Sequence, residues 1–162
     1  MSEQLLEEIK VRPATLEDAA AICHVHLTSV RVLCTRDYTA KEIEAWIGDR
    51  SPENYRYAMQ EMGELLFVAE KGEEILGFAS LLENEVRAVY LHPNYTRRGV
   101  GSLLVDAVEK EAVARKITKL QLVSSTNAVN FYKALGYQVI ESTFLTLGAG
   151  IQIPCVYMEK DF

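Results

Sequence analysis

The stretch HPNYTRRGVGS, residues 92–102, sets two arginines and two glycines where a strand-like run gives way to a long helical one. The chemistry open to that pattern is the binding of an anion. A strand that passes through a glycine-bearing loop directly into a helix brings unpaired backbone N–H groups and the positive end of the helix dipole to one point. Gly99 and Gly101 permit positive φ and let a ligand approach the backbone where a Cβ would block it. Arg97 and Arg98 add full charge. A phosphate suits such a point, and the alternative is a helix start whose arginines simply face water. There is no G-K-[ST], and no G-x-G-x-x-G opens a first βαβ unit, which argues against a nucleoside triphosphate or a dinucleotide.

That local charge stands out because the chain is acidic, with 17 Lys+Arg against 23 Asp+Glu and a net charge of -6 over 162 residues. Such a balance disfavours non-specific binding to nucleic acid. A hydrophobic share of 49%, a charged share of 25% and a mean hydropathy of -0.01 are those of an ordinary globular chain. No run approaches the roughly 20 apolar residues of a membrane span, so no membrane association is expected. The start, MSEQLLEEIK, has three glutamates and no apolar h-region, which does not read as a signal peptide and makes a cytoplasmic location the expectation. Cys23, Cys34 and Cys155 are scattered without C-x-x-C spacing and read as reduced thiols, not as a disulfide framework or a zinc site. His24 and His26 lie two apart in a helical stretch and diverge by about 200°, so they cannot share an ion. One is expected packed, the other exposed, and no metal site is expected.

The elements that must position the loop follow from periodicity. EIKVR, residues 8–12, alternates as a short strand. Thr15 opens a helix to about Val32, with Glu17 and Asp18 in its first turn. TAKEIEAWIGD is a second helix, capped by Thr39 and stopped near Gly48, and SPENYRYAMQ a third, with Pro52 in its first turn. From residue 65 the period changes to that of strands: LLFVAEKGEEILGFASLL is a hairpin turning at Lys71 to Glu74, and EVRAVYL a further strand. The quoted loop then feeds a helix with Val100, Leu103, Leu104, Ala107, Val108, Glu111 and Ala112 on one stripe, apolar except for the glutamate. KLQLVSS is a strand, NAVNFYKALGY a helix ending at Gly136, and YQVIESTFLTL and QIPCVYMEK are the last two strands. The order implies one domain over residues 1–162, an α/β fold with a mixed sheet and helices on both faces.

Taken together, VRAVYLHPNYTRRGVGSLLVDAVEKEA and KLQLVSSTNAVNFYKALGY resemble the GNAT superfamily of acetyl-CoA-dependent N-acetyltransferases. The family's pyrophosphate loop has the form [QR]-x-x-G-x-[GA], and a later block ends in N-x(4)-FY-x(3)-G-[FY]. The resemblance implies a mostly antiparallel sheet of six to seven strands with one splayed parallel pair, and acetyl-CoA as co-substrate. It implies that the backbone of Val89, Tyr90 and Leu91 pairs with the pantetheine arm, and that Arg97, Arg98, Gly99, Val100, Gly101 and Ser102 wrap the pyrophosphate. Two positions depart from the pattern. Thr96 stands where Gln or Arg is usual, and Ser125 where many members have Asn, with Asn127 the nearer polar candidate.

The reaction so implied is direct transfer of an acetyl group to a primary amine. It needs a neutral nucleophile, a stabilised oxyanion and a proton for the departing thiolate. Tyr132 matches the family's tyrosine acid; a phenol of pKa about 10 can protonate the thiolate of a thiol of pKa about 8.5. Its other reading is a core tyrosine beside Phe131. Glu85, where some members have a catalytic glutamate, is the candidate base, with Glu83 on the same face if the strand is continuous and with solvation as the plain alternative. His92 has a suitable pKa but precedes Pro93 and more naturally shapes the turn. A backbone N–H near Leu91 is the expected oxyanion donor. The acceptor would dock within about residues 28–60, where Tyr38, Trp46, Tyr55 and Tyr57 form either an aromatic wall or core. Opposite charge favours a cationic amine, on a small molecule or a protein. The competing readings are a non-catalytic acyl-CoA-binding or regulatory module and a purely structural domain. A homodimer is common in the resembled family.

Overall fold

In the computed structural model, which describes residues 2–162, one seven-stranded sheet has the order β1-β2-β3-β4-β5-β7-β6. Its strands are β1 (Ile9–Pro13), β2 (Leu65–Lys71), β3 (Glu74–Leu82), β4 (Glu85–Leu91), β5 (Lys119–Ser125), β6 (Gln138–Thr146) and β7 (Gln152–Asp161). The β4–β5 pair is parallel and every other neighbouring pair antiparallel. Helices α2 (Ala19–Leu33), α3 (Ala40–Ile47) and α4 (Pro52–Gln60) cover one face, and α5 (Val100–Ala114) and α6 (Val129–Ala134) the other. The expected mixed sheet with one parallel pair and helices on both sides is thus the fold observed.

Local chemistry sets the helix ends. Thr39 accepts from the Glu42 N–H at 3.1 Å while its own N–H donates to the Glu42 carboxylate at 2.8 Å, a reciprocal cap that satisfies two otherwise orphan donors. Gly48, at φ 61, ends α3. Asp18 accepts from the Thr15 N–H at 2.8 Å and is gripped by both terminal nitrogens of Arg12 at 2.8 and 3.0 Å. The helix expected from Thr15 accordingly begins as a 3-10 turn, Leu16–Asp18, before α2. One helix was not expected: α1 (Ser2–Glu8) precedes β1. It is too short to be stable alone, but it buries Leu5 and lays Leu6 against Gly99.

The feature that positions the site is a bulge. The β3–β4 register pairs Ser80 with Ala88 and then Leu81 with Val86, leaving Arg87 with no residue opposite. An extra residue bends and twists the strand that carries it. β4 pairs with β5 only at Glu85–Gln121 and Val86–Leu122, and the pairing ends where the bulge begins. The closed end is tied further by Asn84, whose carbonyl accepts from the Gln121 N–H at 2.9 Å and whose side-chain oxygen accepts from Gln121 Nε2 at 3.1 Å. Beyond it the two halves of the sheet part.

Candidate active site

Past the bulge a cleft of about 660 Å³ opens between β4, the end of α2 and the starts of α5 and of the turn before α6. The His92 N–H donates to the Leu76 carbonyl at 2.8 Å. By the alternation of an antiparallel ladder, residues 88, 90 and 92 bond to β3, whereas Val89 and Leu91 turn their N–H and C=O groups toward the cleft. Those unpaired groups can take up an extended amide-bearing chain as a missing strand would. Tyr90, whose backbone faces Phe78, still lines the cleft.

The glycine loop closes one end of it. Gly99 caps α5 at φ 86, and Arg97 is also left-handed, at φ 60. Successive turns of this kind point N–H groups to one spot and form an anion nest. Thr96, Arg97, Gly99, Gly101 and Ser102 line the cleft. Val100 is buried among the residues under α5, and Arg98 leans on the Tyr95 ring at 5.9 Å. A Cβ on Gly101 would come within 3.0 Å of the Phe131 ring, so no side chain fits between the helix start and that wall. The Thr96 hydroxyl donates to the Pro93 carbonyl at 3.2 Å and so braces the loop itself. Asn127 lines the far wall, its Nδ2 donating to the Leu33 carbonyl at 3.1 Å.

A second cavity of about 460 Å³ lies on the other side of the parted strands, under α3 and α4. Tyr90 and Ser125 line both cavities, which therefore lie next to one another at the splay. All four aromatics of the 38–57 region line the second cavity, in two ways. Trp46 and the exposed Tyr57 are wall, whereas Tyr38 and Tyr55 are also core. The Tyr38 hydroxyl donates to the Pro154 carbonyl at 2.6 Å and accepts from the Thr126 N–H at 3.0 Å, pinning β7 to the turn before α6. Tyr55 bonds to His26 Nδ1 at 2.8 Å. His26 is buried, its ring 4.1 Å from that of Tyr90; burial first, then the charge of Arg50, holds it down at about 3, so it is neutral. His24 is exposed.

The proton-handling candidates separate by location. Glu85 lines the second cavity beside Arg87, 3.6 Å away, which also reaches Glu64 at 3.6 Å. Glu83 does not share that face, because the strand is not continuous: it sits in the β3–β4 turn at φ 54. His92 shapes the loop, its Nδ1 accepting from the Asn94 N–H at 3.2 Å. Tyr132 is buried between Phe131 and Tyr137, and burial, then the neighbouring Tyr90 phenol, pushes its own phenol well above the usual range. Phe131, one residue earlier, lines the cleft. Residues that sequence reasoning did not single out are His26 as cavity lining, Arg36 at the cleft and Arg50 at the second cavity. No local pattern marks these two arginines; only the fold brings them to the cavities. Among the described residues, no group of three or more His, Cys, Asp or Glu is placed to hold a metal ion, and no helix is long and apolar enough to cross a membrane.

The sheet is thus parted at one parallel pair, with the glycine-arginine loop at one mouth and a second cavity at the other. A family model of the GNAT acetyltransferase domain matches residues 34–162, and the chain belongs to that family. It is similar to the uncharacterised N-acetyltransferase YafP of Escherichia coli, 25% identical over 137 residues that span 84% of this chain and 85% of that protein. A crystallised GCN5-related N-acetyltransferase from Rhodopseudomonas palustris is 30% identical, with a TM-score of 0.86 over 94% of this chain and 95% of that one. The PaiA N-acetyltransferase of Thermoplasma acidophilum, solved in complex with coenzyme A, has the same fold: its TM-score is 0.76 at 22% identity, over 95% and 99% of the two chains.

Proposed function

We propose that this chain transfers the acetyl group of acetyl-CoA directly to a primary amine. The observation that carries the reading is that the two cavities lie side by side, with Tyr90 and Ser125 lining both. The pantetheine runs along Val89 and Leu91, and the nest at Arg97, Gly99, Gly101 and Ser102 holds the pyrophosphate, with Arg98 and the Val100 N–H beside it. Asn127 borders the far side. The thioester then lies where the acceptor cavity opens.

In the step itself the amine nitrogen attacks the thioester carbonyl carbon; the C–N bond forms, the C–S bond breaks, and the sulfur leaves with the bonding pair. Glu85, directly or through one water, takes the proton the ammonium must lose. The Leu91 N–H steadies the oxyanion. Tyr132 gives its phenolic proton to the departing thiolate, and the proton released by the amine restores the phenol, so the products are the amide and CoA thiol. Burial that lifts the phenol's pKa lifts that of the thiol too, since both ionise to anions, so the transfer remains feasible. The exposed apolar residues of the edge strand β6, Val139, Ile140 and Phe144, support a homodimer as the state to test by light scattering.

The test is thiol release from acetyl-CoA against a panel of primary amines, beside the thermal shift given by acetyl-CoA alone. A shift with amine-dependent thiol release is expected. A shift with no release for any amine would instead mark an acyl-CoA-binding module.

A further inference from the structure

The chain has nine arginines. Five are ion-paired: Arg12 with Asp18 and Glu70, Arg31 with Glu44, Arg56 with Glu53, Arg87 with Glu64 and Glu85, and Arg115 with Glu111. Among the described residues the other four, Arg36, Arg50, Arg97 and Arg98, are in no ion pair. All four are exposed, so water alone could solvate them; what sets them apart is that three line a cavity and the fourth, Arg98, adjoins one. Arg36 and Arg97 line the cofactor cleft and Arg98 adjoins them, where phosphate groups account for all three. Arg50 lines the other cavity, so the same explanation does not extend to it.

Arg50 stands between Gly48, which ends α3, and Ser51, which caps α4. Its guanidinium lies 5.8 Å over the Tyr55 ring, and its charge is felt as deep as His26. The cavity's other cation, Arg87, is held between Glu64 and Glu85. Among the described residues Arg50 is therefore the cavity's cation with an aromatic neighbour, Tyr55, but no carboxylate, and a planar guanidinium is suited to a carboxylate. Trp46, Tyr57, Met62 and Leu147 supply an apolar wall, and the volume is that of a small-molecule site.

We propose that Arg50 receives a carboxylate of the acceptor, which makes the acceptor an amino acid, or a close amino carboxylate, with an apolar side chain. Its ammonium group faces the Glu85 side of the cavity and its side chain the aromatic wall. A polyamine fits worse, because Arg87 occupies both acidic residues and Arg50 repels a second ammonium. The inference rests on the acetyl-transfer reading and names its substrate class.

Two measurements separate the two ideas. In the first, kcat/KM is compared for leucine and phenylalanine, their carboxamides and phenethylamine. The wild type favours the free acids by at least about tenfold. Arg50→Gln narrows that to less than about threefold, and Arg50→Glu reverses it, with circular dichroism and acetyl-CoA affinity checking that each variant folds. Equal rates for acids and amides in the wild type, or an unchanged ratio in Arg50→Gln, would overturn the subsite and leave acetyl transfer standing. In the second, calorimetry compares N-acetylphenylalanine with its carboxamide, independent of turnover. If no amine is acetylated but the acid binds more tightly and Arg50→Gln abolishes the preference, the subsite stands and acetyl transfer fails. If neither turnover nor a binding preference appears, both are overturned.

Discussion

Tyr132 and His26 are both buried, and burial keeps each neutral by moving their pKa values in opposite directions. For Tyr132 it favours the neutral phenol, which is the form that can donate. Tyr132→Phe keeps the packing on Phe131 and Tyr137, so kcat is expected to fall about 10²–10⁴-fold with acetyl-CoA affinity unchanged; a loss smaller than about tenfold, in a steady-state assay, would end the acid role. The raised phenol also implies no alkaline limb from this residue below about pH 10 in the pH–rate profile. For His26, burial holds the folded pKa at about 3, below the unfolded value of about 6.5. Between the two the unfolded chain binds a proton that the folded chain does not. The stability tied to this residue is therefore whole above about pH 6.5 and lost as pH falls toward about 3, by at most about 1.4 kcal/mol per pH unit. Urea melts at about pH 7.5 and about pH 5.5 should show that decline, and His26→Gln should flatten it. At this scale the sequence was legible where a residue sits in a local motif, as the glycine-arginine loop does. It was illegible for Arg50, whose place at the second cavity, with no carboxylate among the described residues, exists only in three dimensions.

The elements were more legible than the residues, because most of their ends are decided locally: Thr39 with Glu42, Gly48, Pro52 and Gly136 all act within one turn. The bulge at Arg87 was not, since EVRAVYL alternates without interruption and the irregularity exists only against β3. Nor was α1, which depends on contacts with the loop that follows β4. The role of β3 in shaping the cleft is open to a direct test. A Cβ on Gly77 would fall 2.5 Å from Leu91 Cδ2 and 2.8 Å from the Tyr90 carbonyl oxygen. The leucine can rotate away but the carbonyl cannot, so Gly77→Ala must shift β4 itself. The expected cost is about 1–3 kcal/mol in stability, together with weaker acetyl-CoA binding by calorimetry, because β4 carries the backbone groups of Val89 and Leu91. Gly72→Ala is the control: at φ 62 with nothing within 4 Å, it costs about 1 kcal/mol of backbone strain and leaves acetyl-CoA affinity as it was. Equal affinity in both variants would remove β4's backbone from the binding surface.

For the whole molecule, the decisive fact is that β1–β4 and the β5–β7–β6 half are hydrogen-bonded strand to strand at only two residue pairs, Glu85–Gln121 and Val86–Leu122. Around that seam Asn84 and Gln121 form a small network, with the Tyr157 hydroxyl donating to Gln121 Oε1 at 2.6 Å. The mixed sheet could be foreseen from the order of elements, but so narrow a seam could not, since pairing between residues 36 positions apart leaves no local trace. A sheet joined this way opens along its splay at a lower free energy than it unfolds, and a ligand lying in the gap adds the missing rungs. Acetyl-CoA at about 100 times its Kd should then stabilise the fold by about 2.7 kcal/mol. It should also slow amide exchange at Val89 and Leu91 more than at Phe67 or Val68 of β2, which β1 and β3 already pair from both sides. Asn84→Ala removes both side-chain bonds to β5, the one accepted from Gln121 Nε2 and the one its Nδ2 donates to the Lys119 carbonyl at 3.3 Å, while its backbone carbonyl still accepts from the Gln121 N–H. Exchange in β5 should quicken in the unliganded variant, and saturating acetyl-CoA should recover most of the protection, because the ligand bridges the same two halves. If acetyl-CoA protects β2 and β4 equally, or the variant's β5 exchanges at the wild-type rate, the seam is not what couples the two halves.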